Sequence, residues 1–279
     1  MRARTTNSPP RPPLFSARRV AACLFLLAGL AGAPRSAAAD EAAALRADQT
    51  VVLLHGMGRG RASLWVLDMR LRQAGYKTLN FPYLANSQSL DGLSERLRAF
   101  IREKVKTPTY HLVAHSLGNV IIRNTFKLEL PPGLGRIVML APPNKPAELA
   151  RALRENPVYR WFTGESGQQL GSEEFYAELP APKAEFGIIA GDRGQSVTFN
   201  SPNDGVITVE STRLEGMKDW VLVHHSHTFI MNSRQVAQLC VQFLESGRFN
   251  LDALDAEIAT DELAETGQDT GDTAPLPGE

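Results

Sequence analysis

Cysteine is almost absent from this sequence: its 279 residues include two, Cys23 and Cys240. Cys23 falls in an N-terminal segment that reads as removable, so the mature chain would keep one thiol and could form no internal disulfide. Stability must then come from an apolar core, and 43% hydrophobic residues in one chain of this length are enough to build a single large one. Cys240 shares helical spacing with Val236, Leu239, Phe243 and Leu244, which assigns it to that core. Net charge is also lacking, since 30 Lys and Arg balance 30 Asp and Glu. Setting aside the two termini leaves 24 basic and 21 acidic residues in 40–250, which points to no nucleic-acid surface. No cluster of His, Cys, Asp or Glu announces a metal site, and nothing asks for a cofactor.

Long apolar runs are missing as well. Val20 to Ala33 is some six residues short of the roughly 20 needed to span a bilayer as a helix. The first 39 residues carry six arginines and no acid, and the apolar run is followed by Ala37-Ala38-Ala39. This pattern predicts a signal peptide over 1–39 and export to the periplasm or beyond, the alternative being an uncleaved N-terminal membrane anchor. Arg18-Arg19 lacks the residues that follow a twin-arginine signal, and Cys23 lacks the apolar run that precedes a lipidation site. At the other end, 251–279 has nine acids and no Lys or Arg, the makeup of a solvated tail that is disordered beyond a short helical stretch. One catalytic domain over 40–250 is expected.

Within it, short apolar runs alternate with helical spacing. Strands are expected at Thr50–Leu54, Tyr76–Phe81, Tyr110–Ala114, Arg136–Ala141, Phe186–Ala190 and Trp220–His224. Leu64, Leu67 and Leu71 mark a helix ending at Gly75, and Leu93, Leu97, Phe100 and Ile101 mark a second. Further helices are expected over Asn119–Leu128 and Ser233–Glu245. The order implies an α/β fold with a mainly parallel sheet covered on both faces. About 142–184 is too long and too rich in Pro, Gly, Glu and aromatics to be a plain connection, and reads as a small inserted cap.

A serine hydroxyl attacks a carbonyl only if it is exposed on a sharp turn, paired with a base and faced by oxyanion donors. Ala114-His115-Ser116-Leu117-Gly118 lies between an expected strand and helix, with small residues two before and two after Ser116. Ser116 is therefore the candidate nucleophile, and the amide of Leu117 at the helix start a candidate oxyanion donor. A second donor, the Met57 amide, is expected in His55-Gly56-Met57-Gly58 after the first strand; His55 would only shape that loop. Asp204, in Asn203-Asp204-Gly205-Val206, is preferred as the acid over Asp192. His227, furthest past the last strand in His224-His225-Ser226-His227, is preferred as the base, with His225 second. His111 and His115 read as structural. The chain order Ser, Asp, His is one that this chemistry uses.

On these motifs, together with Leu140-Ala141-Pro142-Pro143-Asn144 and Ser226-His227-Thr228, the sequence resembles the lipase and esterase branch of the α/β-hydrolase superfamily over roughly 50–247. It departs at Ala114, where the family pattern has Gly. The resemblance implies a serine hydrolase that cleaves lipid or small acyl esters through an acyl-enzyme on Ser116, with a small-molecule ester partner and transient contact with membrane lipid. Acyl transfer to an alcohol, or an inactive fold binding lipid or a partner at the envelope, are the competing uses of the same chain. By the same resemblance the cap aromatics Tyr159, Trp161, Phe162 and Phe175, with Leu170, would line an acyl pocket; fastening the cap to the core is an equally open use. Some bacterial lipases carry a disulfide or a calcium site, and this sequence supports neither.

Overall fold

The computed structural model describes residues 43–84, 88–145, 173–195, 201–252 and 254. Among them, six strands form one sheet: β1 (Gln49–Leu54), β2 (Lys77–Asn80), β3 (Thr109–His115), β4 (Leu134–Leu140), β5 (Phe186–Gly191) and β6 (Asp219–Val223). Their spatial order is β2-β1-β3-β4-β5-β6, and every neighbouring pair is parallel. The helices are α1 (Trp65–Gln73), α2 (Leu90–Lys104), α3 (Leu117–Thr125), α4 (Glu173–Glu178) and α5 (Arg234–Ser246).

Successive strand residues point to opposite faces, and each face is buried under its own helices. Val51, Leu53, Val113, Val138, Leu140 and Ile189 pack with Leu67 and Leu71 of α1 and with Leu239 and Phe243 of α5. Val52, Leu54, Leu112, Ala114, Ile137, Met139 and Ile188 pack with Leu93 and Leu97 of α2 and with Val120 and Ile121 of α3. Unbroken burial along β5 explains why the strands read as continuous apolar runs rather than alternating ones. Each fully buried leucine contributes about 2 kcal/mol of transfer free energy.

Local chemistry sets the helix ends. The Ser89 and Ser233 hydroxyls accept from the amides of Gly92 (3.2 Å) and Val236 (3.3 Å), capping α2 and α5. Gly75 and Gly247, at φ 105° and 74°, take the left-handed position just past α1 and α5. Element boundaries differ from the sequence expectation by one to three residues, and two of these shifts have a local cause. Helix α3 begins at Leu117, not Asn119, because the chain turns within the single residue Ser116; it stops at Thr125, with Lys127 and Leu128 held in three-residue turns. Strand β4 stops at Leu140 because Ala141 adopts φ 43°.

Of the inserted 142–184 stretch, α4 is described. Its Tyr176, with Leu179 just beyond, is buried on the α2/α3 side, and Phe175 packs there too. Tyr159, Trp161, Phe162 and Leu170 lie outside the described residues, as does the expected signal segment 1–39. Residues 251, 252 and 254 continue beyond α5 in helical conformation, and Leu254 is buried against the α1/α5 side; the rest of the acidic tail lies outside the described residues. Among the described residues, no helix is long and apolar enough to cross a membrane.

Candidate active site

Parallel strands deliver their C-terminal ends to one edge of the sheet, and the loops there meet. Strand β3 ends at His115, the chain reverses at Ser116 with φ 52° and ψ −120°, and α3 starts at Leu117. A side-chain-bearing residue in that conformation persists only when its surroundings hold it. Here the Ser116 amide donates to the Leu140 carbonyl (3.0 Å), the Asn119 amide donates to the Ser116 carbonyl (2.9 Å), and Asn119 Nδ2 donates to the same Leu140 carbonyl (3.1 Å). Gly118 is required by close approach: a Cβ there would lie 2.8 Å from the Leu54 carbonyl oxygen and 2.9 Å from Leu54 Cβ. The small residue two places after the serine thus lets α3 cross the end of β1.

Ser116, Asp204 and His227 come together, all buried. His227 Nε2 stands 3.0 Å from Ser116 Oγ, and His227 Nδ1 stands 2.7 Å from Asp204 Oδ2. The carboxylate can only accept, so Nδ1 carries the proton and Nε2 is free to accept from the serine. The other oxygen, Asp204 Oδ1, accepts from the amides of Val206 (3.0 Å) and Ile207 (2.7 Å). Asn203 shapes this turn, its Oδ1 accepting from the Gly205 amide (2.8 Å) while Gly205 takes φ 99°. The His227 amide also donates to the Asp204 carbonyl (2.9 Å), so backbone and side chain tie the two loops together.

The loop after β1 runs beside the serine. A Cβ on Gly56 would lie 3.2 Å from Ser116 Cβ and 2.8 Å from His115 Nδ1. Met57 follows directly, and Leu117 opens α3; neither amide has a backbone acceptor among the described residues. Tyr83 anchors this loop: its hydroxyl donates to the His55 carbonyl, and its ring stacks on that of His55 at 4.0 Å between centroids.

The remaining histidines have other surroundings. His115 Nε2 lies 2.9 Å from the His227 carbonyl oxygen, so it donates, leaving a buried Nδ1 with no partner among the described residues. Burial, then the neighbouring His227, drive the His115 pKa well below its usual value, so this ring stays neutral behind the site. His55 faces the Gly56 and Tyr83 carbonyls, and burial outweighs them in lowering its pKa. His111 sits at the opposite edge, accepting from the Arg136 amide (2.9 Å) and bonded to Gln49. Burial brings it down to about 4. His225, the second-choice base, makes no contact with Ser116 among the hydrogen bonds of the site, and burial lowers its pKa too. The alternative acid, Asp192, bonds instead to the exposed His224 (2.9 Å).

Two buried residues near the site, bonded to each other, received no role from the sequence: Arg123 on α3, and Asn144 after β4, which entered only as the last residue of the Leu140-to-Asn144 motif. The available signal was a lone arginine closing the run Val120-Ile121-Ile122, which leaves a charge on a helix otherwise committed to the core. Among the described residues, no group of three or more His, Cys, Asp or Glu could hold a metal ion.

No protein-family model and no curated protein matches the chain. Solved structures do. The chain is similar to a lipase of Bacillus licheniformis in its mature form, with TM-score 0.53 and 16% identity over 70% of this chain and 91% of that one. It is similar to an esterase of Exiguobacterium antarcticum to the same TM-score, 0.53, with 15% identity over 71% of this chain and 92% of that one.

Proposed function

The chain has the α/β-hydrolase fold, and we propose that it is a serine hydrolase cleaving carboxylic esters through an acyl-enzyme on Ser116. The observation that carries this reading is the continuous hydrogen-bonded line Ser116 Oγ, His227 Nε2, His227 Nδ1, Asp204 Oδ2, with steps of 3.0 and 2.7 Å.

In this mechanism His227 Nε2 takes the Ser116 proton as Oγ attacks the ester carbonyl carbon. The carbonyl oxygen becomes an oxyanion that accepts from the amides of Met57 and Leu117, each worth roughly 3 kcal/mol to the transition state. Collapse breaks the bond to the alcohol oxygen, which leaves with the proton from His227. A water, deprotonated by His227, then attacks the acyl carbon, and the proton returns to Ser116 Oγ as the acid departs. Asp204 stays ionised throughout, holding the Nδ1 proton and stabilising the imidazolium. The two amide bonds to Asp204 Oδ1 support that role, because they fix the orientation in which Oδ2 faces His227.

The inserted stretch around 142–184 would cover the acyl group, with Trp161 and Phe162 as candidate contacts. The N-terminal pattern of arginines, a short apolar run and alanines supports export before action.

Hydrolysis of a p-nitrophenyl ester tests the chemistry. Ser116→Ala should lower kcat by on the order of 10⁶ and Asp204→Asn by about 10⁴, while Asp192→Asn stays at the wild-type rate. Full activity of Ser116→Ala removes the serine mechanism, and loss in Asp192→Asn alone reassigns the acid.

A further inference from the structure

We propose that Asn144, gripped by the buried guanidinium of Arg123, is a positioning residue that sets the Asp204 loop against the Ser116 elbow. The inference rests on the reading of Ser116, His227 and Asp204 as the reacting set, and identifies what holds two of its members in register.

Arg123 is a buried cation with no carboxylate partner among the described residues. Burial lowers its pKa to about 10, so it remains charged at neutral pH. An unpaired buried charge is costly unless hydrogen bonds satisfy it. Here three acceptors do: Nε donates to the Pro180 carbonyl (3.1 Å), Nη2 to the Leu179 carbonyl (2.7 Å) and Nη1 to Asn144 Oδ1 (3.2 Å). The guanidinium therefore joins α3, which starts directly after the nucleophile, to the segment after α4 and to Asn144.

Asn144 completes the connection. Its Nδ2 donates to the Thr212 carbonyl (2.7 Å), and its amide reaches the Ser211 carbonyl (3.0 Å). The neighbours fix the amide orientation, since the oxygen faces a guanidinium and the nitrogen faces a carbonyl. Ser211 and Thr212 close the loop that begins at Asp204, where the Ser211 hydroxyl donates to the Thr208 carbonyl (2.9 Å) and Thr208 bridges back to Asn203. Four residues before Asn144, the Leu140 carbonyl receives the Ser116 amide. A single short segment, 140–144, thus holds the elbow at one end and the acid loop at the other. Near-attack geometry is sensitive to displacements of about 1 Å, and through Asn144 the Arg123 guanidinium ties the nucleophile helix to the acid loop by side-chain hydrogen bonds.

Asn144→Asp separates positioning from stability. The substitution keeps an acceptor for Arg123 and adds an ion pair, while placing an oxygen against the Thr212 carbonyl. The purified full chain, wild type and Asn144→Asp, with Asn144→Ala alongside, is assayed on p-nitrophenyl butyrate and melted. The low-field NMR signal of the His227 Nδ1 proton is recorded for each. Expected are an Asn144→Asp melting temperature at or above wild type, kcat lower by about tenfold or more, KM unchanged, and a shifted or broadened Nδ1 signal. Wild-type kcat with an unmoved signal overturns the proposal. So does a variant that fails to fold or loses activity only in step with its melting temperature, because Asn144 is then merely structural. If the wild type hydrolyses no ester, the functional reading fails, and the Nδ1 signal still decides whether Asn144 sets the His227–Asp204 contact.

Discussion

Ser116 occupies φ 52° and ψ −120°, a region that glycine enters freely and other residues enter at a cost of roughly 1–3 kcal/mol. The cost is tolerated because it lifts Oγ out of the strand toward His227. Ser116→Gly should therefore melt higher than Ser116→Ala, by about 1 kcal/mol once the added chain entropy of glycine is set against the released strain; equal melting temperatures would show that the turn stores no strain. The serine was legible from its neighbours, because a strand, two small flanking residues and a helix are local signals. The proposed acid was less so: Asp192 follows an apolar strand and Asp204 precedes an apolar run, and both sit in turns. What separates them is tertiary, namely that Gly191 leaves room for Asp204 to approach, an added Cβ there lying 3.1 Å from Asp204 Cβ. His227 and His225 were separable only by distance past the strand. Arg123 and Asn144 were illegible in their roles, because apart from each other their partners are backbone carbonyls far away in sequence, which leave no side-chain pattern to read.

Among the elements, the crossing of α3 over the end of β1 is the tightest fit. Gly118→Ala puts a methyl within 2.8 Å of one backbone oxygen and 3.1 Å of another, those of Leu54 and His55. Backbone cannot yield as a side-chain tip does, so overpacking of about 2 kcal/mol is expected, with a fall in kcat as the His55-to-Met57 loop shifts from the serine. Chemical denaturation with a parallel ester assay checks both; a wild-type midpoint and rate would mean that α3 has slack. The succession of elements along the chain and their types were visible in the periodicity, since runs buried on both faces have no polar alternation to confuse with loop; the spatial order of the strands was not. Element ends were not: β4 stops at Leu140 because Ala141 takes a positive φ, and no glycine marks it. The inserted stretch announced itself by composition alone, which says that the pattern breaks without saying how the segment packs.

For the whole molecule, acid is the expected weakness. Burial lowers the pKa of His55, His111, His115 and His225 alike, and takes His111 from 6.5 to about 4. The unfolded chain then binds these protons first, so the contribution of His111 is fully present above pH 6.5 and is lost as pH falls toward 4, about 3 kcal/mol in all. Urea midpoints should drop between pH 7.5 and 4.5, and His111→Gln, which can still accept from the Arg136 amide, should flatten part of that drop. A pH-independent midpoint would contradict it. Export carries its own test: expressed in a bacterial host, the mature chain should have the mass of residues 40–279, and an intact mass would favour a retained N-terminus.

The central claim, that Ser116 is an activated nucleophile, is tested most directly by a fluorophosphonate probe on the purified protein with mass spectrometry of the digest. The geometry of Ser116, His227 and Asp204 predicts one phosphonyl adduct, on the peptide containing Ser116, lost in Ser116→Ala and strongly slowed in His227→Ala. No adduct on the folded wild type, or an adduct on another residue, would contradict it.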